Sequence, residues 1–341
     1  MNRIKYKELF EIINREKFEE EYLKTLFSIK GDLKKSKKYI DLQEKWAKIL
    51  KRTKGYSKLK KYELKDLLIA SFEELVEILS DANFKKNKSL IKKIEKNNIF
   101  NYKGKYNKIQ TFFNKYTNEL ELWRCPYCDS AFTGFYKYKE KNQSIYDLDH
   151  FFPKSLYPFF ALSLYNFIPS CQYCNERVKK ADVIQINKTN IKKLLKSSPV
   201  SQNYNFTELV TLRFIPKIPT SIETNENETW HYAPLSQKNN KIYKIWFDTN
   251  EESQNKQIID LFQLEDRYNS QAIKMNGLYL MDLKKRYPQS HINYICDLLN
   301  KQQNSNFNSI IHRTPEQIEK DIFHKDNKYG LLQKMKNDLL E

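Results

Sequence analysis

Two cysteine pairs of identical spacing constrain this chain more than any other feature. "CPYC" places Cys125 and Cys128 two residues apart, and "CQYC" repeats the arrangement with Cys171 and Cys174 after 42 intervening residues. A two-residue gap lets both sulfurs of a pair face one point, so two pairs supply a tetrahedral thiolate site, for which zinc is the expected ion. Four thiolates leave no open position, and the expected role is therefore structural. The competing readings are a redox dithiol or plain buried thiols. The fifth cysteine, Cys296, stands within a helical pattern and is expected in a core. The first twenty residues, "MNRIKYKELFEIINREKFEE", are charged throughout and lack the apolar centre of a signal peptide. The expected compartment is thus the reducing cytoplasm, where thiols stay free to bind metal. No apolar run approaches the roughly 18 residues of a membrane span, so no membrane partner is expected.

Between the pairs the sequence carries chemistry in a fixed order. "SIYDLDH" alternates like a strand that ends at Asp149 and His150 before Pro153; "LYNFIPS" follows with Asn166; "CQYCNERVKK" sets Asn175 directly behind the second pair, then Arg177 and Lys179. This order resembles the zinc-bearing branch of the HNH endonucleases over residues 119–185. The longer run "LDHFFPKSLYPFFALSLYNFIPSCQYCNERVKK" is similar to the core of bacterial antiphage-defence HNH nucleases, such as the nuclease subunit of Septu-type systems.

The resemblance implies an α+β chain: a ββα-metal HNH core with a structural four-cysteine zinc site, flanked by mainly helical N- and C-terminal regions. It implies a metal-dependent endonuclease acting on DNA. In that reading His150 is the general base, because a neutral imidazole accepts a proton near neutral pH. Asp149 and Asn175 offer the oxygens that hard Mg²⁺ or Mn²⁺ prefers. Asn166 braces the loop that orients the histidine, and Lys179, Arg177 and Lys154 meet phosphate or DNA. Where many HNH enzymes have a final histidine this chain has Asn175, which favours an oxygen-seeking metal. A defence role further implies a separate ATPase subunit as partner, since this chain has only six glycines and no phosphate-binding glycine loop.

Each residue also has a plainer role. Asn175 suits a helix N-cap, Asn166 a turn, and His150 a core or surface position. Asp147 is a rival ligand on the same strand face as Asp149. "FYKYKEK", upstream of the motif, reads as half of the hairpin that carries the site. The alternative at the level of the whole chain is a zinc-stabilised nucleic-acid-binding protein whose HNH site is inactive or gated by a partner.

The flanks give the organisation. Net charge is +18, and residues 1–118 hold thirty basic against sixteen acidic side chains, with clusters "KKSKK" (34–38) and "KRTKGYSKLKK" (51–61). Such a surface favours polyanions; lysine-rich solvated faces are the ordinary alternative. Three zones are expected: a basic helical region over 1–118, the HNH core over 119–185, and a mixed, mainly helical region over 186–341. A helix is predicted over 63–79, a strand over 241–247, and helix over 258–287 with a bend or break near Gly277.

Overall fold

The stretch predicted as one helix over 63–79 forms two, and the break has a local cause. Ala70 adopts an extended ψ of 130°, and Ser71 behind it starts a new helix with a capping box: its Oγ accepts from the Glu74 amide while the Glu74 carboxylate accepts from the Ser71 amide at 2.7 Å. Reciprocal capping satisfies two otherwise orphaned donors, so a fresh N-terminus wins over a continuous helix. The structure is a computed structural model. It describes residues 2–52, 57–80, 88–179, 194–216, 243–249, 254–302, 313–324 and 330–340.

The chain divides into two compact units, Met1–Phe206 with Glu251–Phe262, and Thr207–Asn250 with Gln263–Glu341. This partition differs from the three expected zones, because the N-terminal helices and the cysteine-bearing segment share the first unit. That unit begins with α1 (Tyr6–Ile12), α2 (Arg15–Phe27), α3 (Lys37–Lys51), α4 (Leu64–Ile69), α5 (Phe72–Leu79), α6 (Lys88–Asn97) and α7 (Tyr106–Lys115). Two antiparallel hairpins follow: β1 (Phe135–Tyr138) with β2 (Lys141–Ser144), and β3 (Asp147–His150) with β4 (Phe167–Ser170). A π-helix over Tyr173–Lys179 comes next, then α8 (Leu194–Ser197) and α9 (Phe206–Leu209), the last spanning the unit boundary. Further along the chain, α10 (Gln254–Leu261) packs against α8.

An aromatic core ties the helices to the segment that links β3 and β4. Phe18, Phe112, Phe152, Phe160 and Phe167 are fully buried, and Phe72 stacks on Phe152 at 5.3 Å. Polar groups stitch the same seam. Tyr22 donates to the Leu162 carbonyl at 2.7 Å, Ser163 to the Leu67 carbonyl at 2.9 Å, and Tyr165 to the Glu19 carboxylate at 2.8 Å. The N-terminal helices are therefore scaffold for this linking segment. Of the two basic clusters, residues 53–56 lie outside the described residues; the other forms a short 3₁₀ turn and the start of α3.

The second unit pairs β5 (Val210–Pro216) with β6 (Tyr243–Thr249) and adds α11 (Leu264–Tyr268), α12 (Gln271–Arg286), α13 (Gln289–Gln302), α14 (Pro315–Phe323) and α15 (Gln333–Leu340); α15 packs on β5 and α12, α11 on β6, and α13 on α14. The strand predicted over 241–247 is β6, shifted toward the C-terminus; residues 241 and 242 lie outside the described residues. The break expected at Gly277 falls earlier. α12 runs through a buried Gly277, and the interruptions come at Gln263, whose φ of +50° is left-handed, and at Asn269–Ser270. Asn269 spends its side chain on both backbone groups of Ile245, which anchors the turn to β6. Cys296 lies in an apolar cluster with Ile292, Ile318, Phe323 and Leu340, as its helical setting implied. Among the described residues no helix is long and apolar enough to cross a membrane.

Candidate functional site

The four paired cysteines converge. Their sulfurs lie within 4.8 Å of one another, all four residues are buried, and none forms a disulfide. The Cys128 and Cys171 sulfurs are 3.9 Å apart, close to the separation that bonds of about 2.3 Å give around a tetrahedral centre. Backbone amides complete the knuckles: the Cys171 N–H donates to the Cys125 sulfur and the Cys174 N–H to the Cys171 sulfur. Burial pushes the Cys125 thiol well above the ordinary range, and a bound cation is what reverses that preference and makes thiolates. Donor set and geometry fit a thiolate-held metal ion. Next to the first knuckle, buried Asp129 accepts from Arg124 at 2.7 Å and from Asn2 at 3.0 Å, fixing the chain at the bend where Asp129 has a φ of +54°.

The β3–β4 hairpin grows from the alternation in "DLDH". Register pairs Asp149 with Ile168 and His150 with Phe167, and every residue of β4 is buried. Pro169 lacks an amide but sits in a two-stranded ladder, where a missing donor is tolerated. The hairpin opens onto a cavity of about 420 Å³ lined by Asp147, Asp149, His150, Lys154, Asn175 and Lys179, among others. Most of the residues singled out in the sequence thus meet in one place. Arg177 does not; it is exposed and outside the lining.

His150 is held in one tautomer. Its Nε2 lies 3.0 Å from the Ala161 carbonyl, which can only accept, so Nε2 carries the proton and Nδ1 keeps a lone pair. The ring is 7% exposed and packs edge-on to Tyr102 at 4.5 Å and against Phe167 at 5.0 Å. Desolvation lowers its pKa to about 4, outweighing the hydrogen bond to Ala161, so the imidazole is neutral at neutral pH. Asn166 is wholly buried and braces the linking segment: its Oδ1 accepts from the Phe152 amide at 2.8 Å, and its Nδ2 donates to the Phe152 and Phe160 carbonyls. The plain turn role is exceeded, since all three bonds act across the loop and Phe160 adjoins the residue that holds His150.

Asp149 is buried and accepts two hydrogen bonds on Oδ2, from the Tyr127 hydroxyl and the Lys179 ammonium, each at 2.6 Å. Lys179 also donates to the His150 carbonyl at 2.8 Å. Lys179 is therefore an internal counter-ion to the carboxylate in this structure, where the sequence had suggested a phosphate contact. Among the described residues Oδ1 of Asp149 and the side chain of Asn175 make no hydrogen bond, so Asn175 is not acting as a cap. Asp147 Oδ1 accepts from the Tyr106 hydroxyl at 3.2 Å, and among the described residues its buried Oδ2 has no hydrogen-bond partner. Oxygen donors without partners beside one cavity fit a hard divalent cation.

Three phenols complete the site and were not anticipated. Tyr127, inside the first knuckle, reaches Asp149; burial and the carboxylate push its pKa well up, so it remains a donor. Tyr106 reaches Asp147, and Tyr102 donates to the Leu148 carbonyl at 3.2 Å while carrying the Lys154 ammonium 4.2 Å above its ring. Burial lowers the Lys154 pKa. A tyrosine in "CPYC" was a visible hint, whereas nothing local marks Tyr102 or Tyr106. The β1–β2 hairpin, expected to carry the site, is a separate two-stranded sheet.

Comparison with known proteins adds no relative. No family model, curated protein or solved structure matches this chain. The functional reading therefore rests on the geometry and on the order of the motif.

Proposed function

We propose that this chain is a metal-dependent HNH-type endonuclease that hydrolyses DNA phosphodiester bonds, with zinc in the cysteine cluster as a structural ion. The observation that carries the reading is the fixed tautomer of His150: a neutral imidazole with a free Nδ1 lone pair, adjacent in the chain to an Asp149 oxygen that makes no hydrogen bond among the described residues. The order β3, β4, short helix, with the first knuckle upstream and the second at the junction of β4 and the helix, is consistent with a ββα-metal core. In this reading His150 takes a proton from the attacking water, Asp149 and Asn175 hold Mg²⁺ or Mn²⁺, and Asn166 keeps Ala161 in place behind the histidine. The cation supplies charge at the phosphate and the leaving oxygen. Lys154, exposed at the cavity and held over Tyr102, is placed to meet phosphate, as Arg177 is on the outer surface. Bacterial antiphage defence, with a separate ATPase subunit, is the proposed setting.

A second reading has its own observation. With the Lys179 ammonium already on Asp149, the carboxylate is neutralised from within, which favours a nuclease held off until a partner shifts that lysine. The deciding experiment is nicking of supercoiled plasmid by purified protein with Mg²⁺ or Mn²⁺ and with chelator. Metal-dependent nicking that falls by about 10²- to 10⁴-fold in His150→Ala supports the base assignment. Nicking at the parent rate in that variant removes it, and no nicking until a partner is added supports the gated form.

A further inference from the structure

The β1–β2 hairpin meets α7 at its base and is exposed beyond it. Phe135 and Ser144 at the base are half-buried, every position between is exposed, and Tyr136 and Tyr138 are 55% and 56% exposed. An isolated two-stranded ribbon is marginal in water, so this one is held from below. Gly134 enters it with a φ of +103° at a place where a Cβ would lie 3.2 Å from the Trp123 ring. At the other strand, Asn114 of α7 exchanges hydrogen bonds with the Ser144 hydroxyl and accepts from the Tyr146 hydroxyl at 2.9 Å. The tip turns through Lys139 and Glu140, both left-handed at φ of +44° and +62°. Such turns favour Asn-Gly, so two side chains are carried here against steric preference, which is how strain is retained where a surface has a use.

The pattern of those side chains names the use. Register pairs Tyr136 with Gln143 and Tyr138 with Lys141, so two exposed phenol rings lie on one face, two residues and roughly 6.5–7 Å apart along the strand. Lys141 sits across from Tyr138 on that face and the Lys139 ammonium lies 5.3 Å from the Tyr138 ring centre, while Lys137 is on the opposite face and pairs with Glu140 at 2.9 Å. Exposed rings interleaved with cations suit a polynucleotide: the lysines meet phosphates and the rings stack on bases. Stacking needs a base whose face is open, which a duplex does not offer.

We infer that the β1–β2 hairpin is a docking platform for an unpaired nucleic-acid strand, with Tyr136 and Tyr138 stacking on its bases and Lys139 and Lys141 meeting its backbone. This rests on the proposed nucleic-acid substrate but not on its cleavage. The test is therefore binding of a fluorescein-labelled oligothymidine to the His150→Ala chain by anisotropy, beside a duplex of equal length. Tyr136→Ser with Tyr138→Ser should weaken oligothymidine binding by tenfold or more and duplex binding far less. Tyr136→Phe with Tyr138→Phe should retain affinity, because the ring and not the hydroxyl stacks. Changing Lys139 and Lys141 to Gln should flatten the salt dependence. Parent-like oligothymidine binding by the double serine variant overturns the inference, as does a loss confined to the duplex, which would assign the ribbon to a groove. If the parent never cuts plasmid yet these binding differences appear, the platform stands and the nuclease reading falls.

Discussion

The Lys179 ammonium lies 2.6 Å from Asp149 Oδ2, with both side chains almost wholly buried. A buried carboxylate needs a positive partner, and here that partner occupies one of its two oxygens. Lys179→Met should cost roughly 3–5 kcal/mol in metal-free protein, because it leaves a buried charge unpaired. Part of that loss should return when Mg²⁺ or Mn²⁺ is added, since a cation that binds only the folded chain stabilises it. Thermal melts with and without the ion check this: the variant should gain more from metal than the parent. An equal gain in both would mean that no cation reaches Asp149.

The cysteine cluster makes a separate prediction. Elemental analysis should find about one zinc per chain, and Cys128→Ser or Cys171→Ser should each lower it, because the knuckles share one ion. Loss of the ion should also unfold the seam that Asp129 and Arg124 fasten beside the first knuckle. Full zinc content in both variants would rule out a shared site.

How much of this was legible follows from where each constraint is encoded. Cysteine spacing and the strand before His150 are local patterns, and both appear where the residues placed them. Ser71 with Glu74 was equally local, a capping signature sitting inside what otherwise reads as one apolar helix. The partners of Asp149 and Asp147 were not readable, because a phenol that crosses 22 residues from Tyr127, or 41 from Tyr106, is placed by packing alone. Gly277 illustrates the opposite error: a residue that weakens an isolated helix by about 1 kcal/mol is carried inside α12, where it is buried.

Asn166→Ala should destabilise the chain by about 3 kcal/mol, since it removes three buried hydrogen bonds and leaves both backbone groups of Phe152 unpaired, while the Phe160 carbonyl keeps the Ser163 amide. Urea unfolding measures the cost. Under conditions where the variant is folded, nicking should fall while oligonucleotide affinity holds, because the damage is to the support of His150. A variant as stable as the parent would show that water replaces the amide.

Lys105 at the start of α7 gives a pH dependence with a definite sign. Burial first, then Lys38 and Lys108, lower its pKa to about 8, so folding disfavours its charged form. The penalty is fully present below pH 8 and fades as pH rises toward the unfolded value of about 10.4. Lys105→Met should therefore raise the urea midpoint at pH 7, and its advantage over the parent should shrink by pH 10. A constant advantage at both pH values would point to packing against Phe27 in place of charge.

Tyr127, whose hydroxyl meets Asp149, stacks its ring on Phe262 at 4.1 Å. Phe262 closes the short return of the chain to the first unit, after an excursion of more than forty residues into the second. On a ribosome, then, the carboxylate is made about 110 residues before the ring that steadies its phenol partner. At roughly 5–20 residues per second the interval is on the order of 6 to 25 s. Throughout that time the nascent chain carries the chemistry of its site without the packing that positions it, so a chain truncated before Phe262 is left without that packing for good.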